Sequence, residues 1–363
     1  MTKPNDIVIT KLPNYSDKHH TSDGHFVNEQ GDPCPPPPQE PKKAFSGAKQ
    51  FFKFATSGSD VIAPMPIREI KKNSPDFQLK PGDSDIIRVW WLGHPAVLIR
   101  INNKYIITDP MLSLYASPVS GFIKRITPAP IAVENLPPIS IILYSHDHYD
   151  HLSYDTLTKL KDLNPNVKIL CPVGVHELIN GWNPRFYAMP FDWRTTTTID
   201  DITFTCFPAR HFSRRSLTDT ATKLWVSWLI QYKDVSIYFA GDTAIGPHFQ
   251  EVRNFVGKPI DLALMPIGPQ NPPEMMRAVH LNPQDVKDMS DILEAKVVIP
   301  IHYGTFALGS QVETPDLVLL RQCWTGFDNL LPLITGGYAE LNLNDSDKKF
   351  GVNNENEMLQ PNE

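Results

Sequence analysis

The sequence predicts a layered α/β protein, and three observations carry that prediction. Short apolar runs of strand character are interleaved with helical patterns from about residue 85 to 343. Those runs keep ending in metal-competent residues: Tyr144 leads into His146, Phe207 into His211, Ala240 into Asp242 and Ile301 into His302. One stretch, Ser145-His146-Asp147-His148-Tyr149-Asp150-His151, sets three histidines and two aspartates on a single strand-to-helix turn.

Residues 1–40 are polar and include the run Pro35 to Pro38, whose backbone is restricted to polyproline-like geometry. A flexible arm is expected there, with His19, His20 and His25 solvated. Residues 41–84 form an N-terminal extension. Within it Phe45, Ala48, Phe52 and Ala55 share a helical face flanked by Lys42, Lys43, Lys49 and Lys53. This basic amphipathic segment suits a helix packed on the main domain or a membrane-surface anchor.

The main domain is expected over residues 85–343. Ile86–Leu92 and Ala96–Ile101 read as strands about Gly93-His94-Pro95, and Tyr105–Thr108 as a third before Asp109. Residues 110–138 hold six prolines and little periodicity, a long loop of the kind that is often functional. Ile139–Tyr144 is a buried strand. Ser153 caps the next helix, whose Leu157, Leu160 and Leu163 share a face, and Asn164-Pro165 stops it. Lys168–Cys171, Ile202–Phe207, Leu224–Tyr232, Val235–Ala240, Asp261–Met265 and Ala295–Ile301 read as further strands. Asn282 caps a helix with Pro283 at its first position and Val286, Met289 and Leu293 on its apolar face. Pro332–Leu343 reads as a closing strand pair around Gly336-Gly337, and residues 344–363 as a disordered tail.

A formal net charge of -6 over 363 residues argues against a generally basic nucleic-acid binder. Cys34, Cys171, Cys206 and Cys323 are widely spaced and form no CxxC pair, so reduced thiols and a cytoplasmic setting are expected. Met1 to Tyr15 lacks the apolar core of a signal peptide, and no apolar run approaches the ~18 residues of a membrane span.

Imidazole nitrogen and carboxylate oxygen suit zinc and other divalent transition metals. Strand ends on one sheet edge converge, so His146, His148, Asp150, His151, His211, Asp242 and His302 are candidate ligands lining one cleft. These seven exceed the needs of one tetrahedral zinc and suit two metals sharing a bridging carboxylate.

The H-x-H-x-D-H stretch, with His211, Asp242 and His302, resembles the metallo-β-lactamase superfamily. The fold this implies is an αβ/βα four-layer sandwich with metals at the sheet edges. Trp91-Leu92-Gly93-His94, Thr108-Asp109-Pro110, Ala116-Ser117-Pro118 and Ile301 to Ala307 are more specific, and lie in order between about residues 88 and 308. They resemble the N-acyl-phosphatidylethanolamine-hydrolysing phospholipase D family. That resemblance implies two zinc ions, with iron or manganese as alternatives. His146, His148 and His211 would hold one, Asp150, His151 and His302 the other, and Asp242 would bridge them. His148 stands where flavodiiron relatives carry Glu, which implies hydrolytic zinc chemistry.

The implied activity is a phospholipase D-type phosphodiesterase, converting N-acyl-phosphatidylethanolamine to N-acylethanolamine and phosphatidate. The alternatives are a lactonase or soluble phosphodiesterase of the same superfamily, and a non-catalytic metal-dependent interaction protein. The catalytic candidates are Asp242, Asp147 and His280. Asp147 would support the ligands or act as general acid or base. His280 occupies the family's matching place and would bind the substrate phosphate or protonate the leaving group. His94 reads as structural, and His176 and His248 are unassigned. The expected partners are a phospholipid substrate and a membrane surface met peripherally, with a homodimer allowed and no nucleic acid.

Overall fold

The computed structural model describes residues 7–31, 64–78, 80, 82–119, 121–270, 273–308, 316–324, 329–352 and 358–359. The proline run and the basic amphipathic segment around Phe45 to Ala55 lie outside the described residues, as does Cys34.

In chain order the elements are β1 (Thr10–Lys11), β2 (Ile86–Trp91), β3 (Val97–Ile101), β4 (Lys104–Thr108), β5 (Ile139–Leu143), α1 (Tyr154–Leu163), β6 (Lys168–Pro172), α2 (Val175–Trp182), β7 (Ala188–Phe191) and β8 (Thr195–Ile199). There follow β9 (Ile202–Pro208), β10 (Val226–Tyr232), β11 (Val235–Phe239), α3 (His248–Val256), β12 (Leu262–Pro266), α4 (Pro273–Met276), α5 (Pro283–Ile292), β13 (Val298–Ile301), α6 (Asp316–Cys323) and β14 (Tyr338–Asn342). They make two seven-stranded sheets, ordered β14-β2-β3-β4-β5-β6-β7 and β1-β8-β9-β10-β11-β12-β13. Each sheet is antiparallel at one end and parallel at the other: β4 to β7 pair in parallel in the first, β11 to β13 in the second.

Side-chain alternation shows how the sheets are layered. On β2, Ile87, Val89 and Trp91 enter the large core shared with the second sheet. Trp90 enters a separate core on the outer face with Leu157 and Leu160 of α1 and Val175 and Ile179 of α2. Both faces are apolar because both are covered, as parallel pairing between crossover helices requires. On the far side α3 and α5 lie against the second sheet. The result is the expected four-layer αβ/βα sandwich.

Local rules account for several elements. The Ser153 side chain accepts from Thr156 N at the start of α1, and Asn282 with Asp285 forms a reciprocal capping box on α5. Leu163, expected on the buried face of α1, is 52% exposed, because that helix ends as the chain turns away. The sequence pattern does not reveal the helices α2, α3, α4 and α6 or the strands β1, β7 and β8. β8 reads Thr-Thr-Thr-Thr-Ile, where β-branching favours a strand while the hydroxyls hide its alternation.

Three expectations at the chain ends are corrected. Residues 7–31 are not a free arm: β1 pairs antiparallel with β8, Phe26 is buried in the central core, and Asn28 Oδ1 accepts from Trp225 Nε1. An edge strand needs cover, and Ile7, Ile9 and Leu12 supply apolar contact there. His19 is correspondingly buried, not solvated. The closing segment holds one strand rather than a pair: β14 pairs with β2, as Tyr338 opposite Trp90. The tail also returns to the domain, where Phe350 and Leu359 are buried and Gly351 exchanges backbone bonds with Glu340. Among the described residues no disulfide forms, and Cys171, Cys206 and Cys323 are free thiols. None of the described helices is long and apolar enough to cross a membrane.

Candidate metal centre

The strands deliver their terminal residues to one edge. The stretch Ser145 to His151 follows β5, His211 follows β9, Asp242 follows β11 and His302 follows β13. Asp109 follows β4, and His94 sits in the β2–β3 turn. Two loops touch closely there. Gly241 has φ +60, and a Cβ on it would lie 2.7 Å from Ser145 Cβ and 3.0 Å from Val226 O. Only glycine relieves both constraints. His94, Asp109 and His302 hold φ of 54, 32 and 66, a left-handed region that side chains disfavour and that clusters at functional sites.

Two groups of donor atoms form on either side of Asp242. In the first, His148 Nδ1 lies 2.8 Å from His146 Nε2 and 3.2 Å from His211 Nε2, and Asp242 Oδ2 lies 3.7 Å from His211 Nε2. In the second, His151 Nε2 lies 3.1 Å from His302 Nε2, and Asp150 Oδ2 lies 3.5 Å from His302 Nε2 and 3.6 Å from His151 Nε2. Asp242 reaches both groups, with Oδ2 3.2 Å from His151 Nε2 and Oδ1 3.1 Å from His302 Nε2. His94 Nε2 joins the second group at 2.9 Å from Asp150 Oδ2.

The opposite ring nitrogens are already engaged. His211 Nδ1 donates to Val279 O at 2.8 Å and His302 Nδ1 to Gly268 O at 3.0 Å. His151 Nδ1 meets Asp109 Oδ2 at 2.7 Å, and His146 Nδ1 meets Ser145 Oγ at 2.9 Å. Such outer bonds fix the tautomer and turn the lone pair of Nε2 inward. In the neutral tautomers the inward atoms are therefore acceptors facing acceptors, and a shared cation satisfies that arrangement. Each group offers the nitrogen and oxygen donors that zinc, iron or manganese accept.

The electrostatics divide along the same line. Burial pushes His148 down to about 4 and His211 to about 3, so the first group presents neutral imidazoles. Burial also opposes charge on His302, but Asp242 and Asp150 outweigh it and raise its pKa to about 9. His151 is raised by the same two carboxylates against its own burial. Burial disfavours charge on Asp150 and Asp242 as well; His151 leads the groups that nevertheless hold both well below the usual carboxylate range. The second group thus collects positive charge against two buried carboxylates, and a metal ion substitutes for those protons.

A family model described as "Beta-lactamase superfamily domain" matches residues 104–303. The chain belongs to the metallo-β-lactamase superfamily. An uncharacterised protein of Mycobacterium tuberculosis is 34% identical over 314 residues, covering 83% of this chain and 77% of that protein. An N-acyl-phosphatidylethanolamine-hydrolysing phospholipase D of Caenorhabditis elegans is 31% identical over 256 residues, covering 68% of this chain and 70% of its own. Among solved structures, a metallo hydrolase from Ignicoccus hospitalis aligns with a TM-score of 0.53 at 17% identity, over 70% of this chain and 98% of that one. That likeness concerns the fold. Taken together, the chain is a metallo-hydrolase of the superfamily.

Against the superfamily's sheet-edge centre, the remaining candidates separate. His280 lies beside the donors, its Nδ1 3.8 Å from Asp242 Oδ2 and its ring 5.0 Å from that of His211. Burial pushes it down to about 3, and among the described residues Nδ1 has no hydrogen-bond partner. Asp147 turns the other way. Its Oδ1 accepts from Arg214 N at 3.0 Å, and its Oδ2 lies 3.3 Å from Lys223 Nζ. Burial raises its pKa while Lys223 and Arg215 oppose the rise. In this structure Asp147 thus braces the loop 213–223. His94, read as structural, belongs with the second donor group; its peptide oxygen also accepts from Trp91 Nε1 and His302 N. Asp109 was not singled out, although it ends β4 just as the other site residues end their strands. His176 bonds Gly174 N at the start of α2, and His248 bonds Thr243 Oγ1, so neither joins the donors.

Proposed function

We propose that this chain is a dinuclear zinc phosphodiesterase of phospholipase D type, hydrolysing N-acyl-phosphatidylethanolamine to N-acylethanolamine and phosphatidate. The placement of Asp242 between two complete donor groups carries the chemistry. The similarity to the C. elegans phospholipase D carries the substrate class. In this reading His146, His148 and His211 would hold one ion and Asp150, His151 and His302 the other, with Asp242 in reach of both groups. When bound, two such ions supply Lewis acidity and an activated water at neutral pH.

The chain's own residues prepare that reaction. Asp109 and the carbonyls of Val279 and Gly268 orient His151, His211 and His302. His280 stays neutral near pH 7 given its depressed pKa of about 3. That favours a hydrogen bond to a phosphoryl oxygen over protonation of the leaving alcohol. A substrate whose ester phosphorus is held between the donor groups and His280 loses its alcohol with both acyl esters intact. The lipid arrives at a membrane surface, so binding there is peripheral.

Hydrolysis in isotopically heavy water tests the reading. Label is expected in phosphatidate and not in N-acylethanolamine, and turnover should stop with a chelator. Label in the alcohol would mean attack at carbon. Turnover of a lactone or a soluble diester, with none of the vesicle-borne lipid, would instead select the alternative substrate class.

A further inference from the structure

A further group of metal-competent side chains lies between the N-terminal arm and the β7–β8 link, and shares no residue with the sheet-edge centre. His19 Nε2 lies 2.7 Å from Asp192 Oδ1, and His20 Nε2 lies 2.9 Å from Asp192 Oδ2. These donor atoms all fall within 4.8 Å of one another. The two rings meet at 4.5 Å, edge to face, so both Nε2 atoms converge on one carboxylate.

The group is held in place from every side. A β-bridge joins His20 to Phe26, and Val27 N donates to His19 O at 3.0 Å, which closes the arm into a small loop. Phe26 N then bonds Ala221 O at 2.8 Å and ties that loop to the domain. The His19 ring stacks on Trp193 at 4.2 Å. Asp192 follows β7, and Trp193 N and the Tyr15 hydroxyl donate to its two oxygens. Burial works against charge on Asp192, but His19 and Tyr15 hold its carboxyl at about 2. The side chains of His19 and Asp192 are 3% and 11% exposed, while His20 is 37% exposed. His20 therefore leaves a way in. A cavity of about 600 Å³, lined in part by His19, Trp193 and Arg194, adjoins the group.

We propose that His19, His20 and Asp192 form a separate site for a borderline divalent cation, of the zinc or nickel class, which staples the arm to the domain. Two imidazoles and one carboxylate are a donor set such ions accept, with water completing the shell. The ion takes the place of the two imidazole–carboxylate hydrogen bonds to Asp192. Because ligands from residues 19, 20 and 192 are joined only in the folded chain, binding favours the docked arm. The site is independent of the hydrolase reading.

The test uses the full chain. Wild type, His20→Ala and Asp192→Asn are loaded with zinc, freed of excess, and assayed for zinc per chain and for lipid hydrolysis. One equivalent fewer is expected in both variants, with turnover unchanged. His20 is partly exposed, so its alanine variant folds even if Asp192→Asn does not. As a second readout, nickel added to chelator-stripped protein should quench more tryptophan fluorescence in wild type than in His20→Ala or Trp193→Phe. Equal zinc content in wild type and His20→Ala, with equal nickel quenching, overturns the site. The group would then be a hydrogen-bonded latch only.

Discussion

Asp109 and His151 form a fully buried carboxylate–imidazole pair, 2.7 Å from Oδ2 to Nδ1, behind the donor cluster. Asp109 also accepts from Ser145 N at 2.7 Å, so one carboxylate sets both the His151 ring and the start of the H-x-H turn. Asp109→Asn retains the shape and loses the charge. Zinc affinity, measured by competition with a chromogenic chelator, should fall by roughly 10–100-fold. An unchanged affinity would leave Asp109 a packing residue.

Asp147 makes the opposite prediction. Its contacts are to Arg214 N and Lys223, so Asp147→Asn removes a brace and not a reacting group. Stability in urea should drop by about 1–3 kcal/mol, the usual consequence of disturbing a buried charged hydrogen bond. Turnover per bound metal should stay within a few-fold. A loss of ~10²-fold or more, with metal retained, would restore the acid–base role.

His280→Ala should lower turnover by roughly 10²-fold, the typical effect of removing one donor to a developing oxyanion. Metal content should not change, because His280 lies outside both donor groups. Its depressed pKa of about 3 also means that the wild-type rate profile between about pH 5 and 9 should keep its shape in the variant. A limb that vanishes with His280 would identify a titrating acid.

Proton linkage follows from His302, whose pKa without metal is raised to about 9. Below that value the ring carries a proton that an incoming ion must displace. Zinc binding near pH 8 should therefore release protons, and apparent affinity should weaken as pH falls. Calorimetric titration of chelated protein in buffers of different ionisation enthalpy counts the released protons. No release near pH 8 would contradict the charge division within the centre.

The sequence by itself determined the class of fold and the candidate donor set. Side-chain chemistry names the donors, and apolar strands ending in His146, His211, Asp242 and His302 place them at sheet edges. Both signals are local: a strand needs about five residues and a cap about four. The tertiary structure alone decided which way each side chain faces. Asp147 stands between His146 and His148 yet turns to Lys223, 76 positions later, because burial left its charge to be met there. His94 joins Asp150 across 56 positions, and Asp109 reaches His151 across 42. Residues 7–31 are ordered for the same reason. Their polar composition reads as disorder, but the open edge of β8 and the carboxylate of Asp192 supply partners more than 170 positions later in the chain. Contacts between distant segments depend on how the sheets stack, and that information is spread over the whole chain.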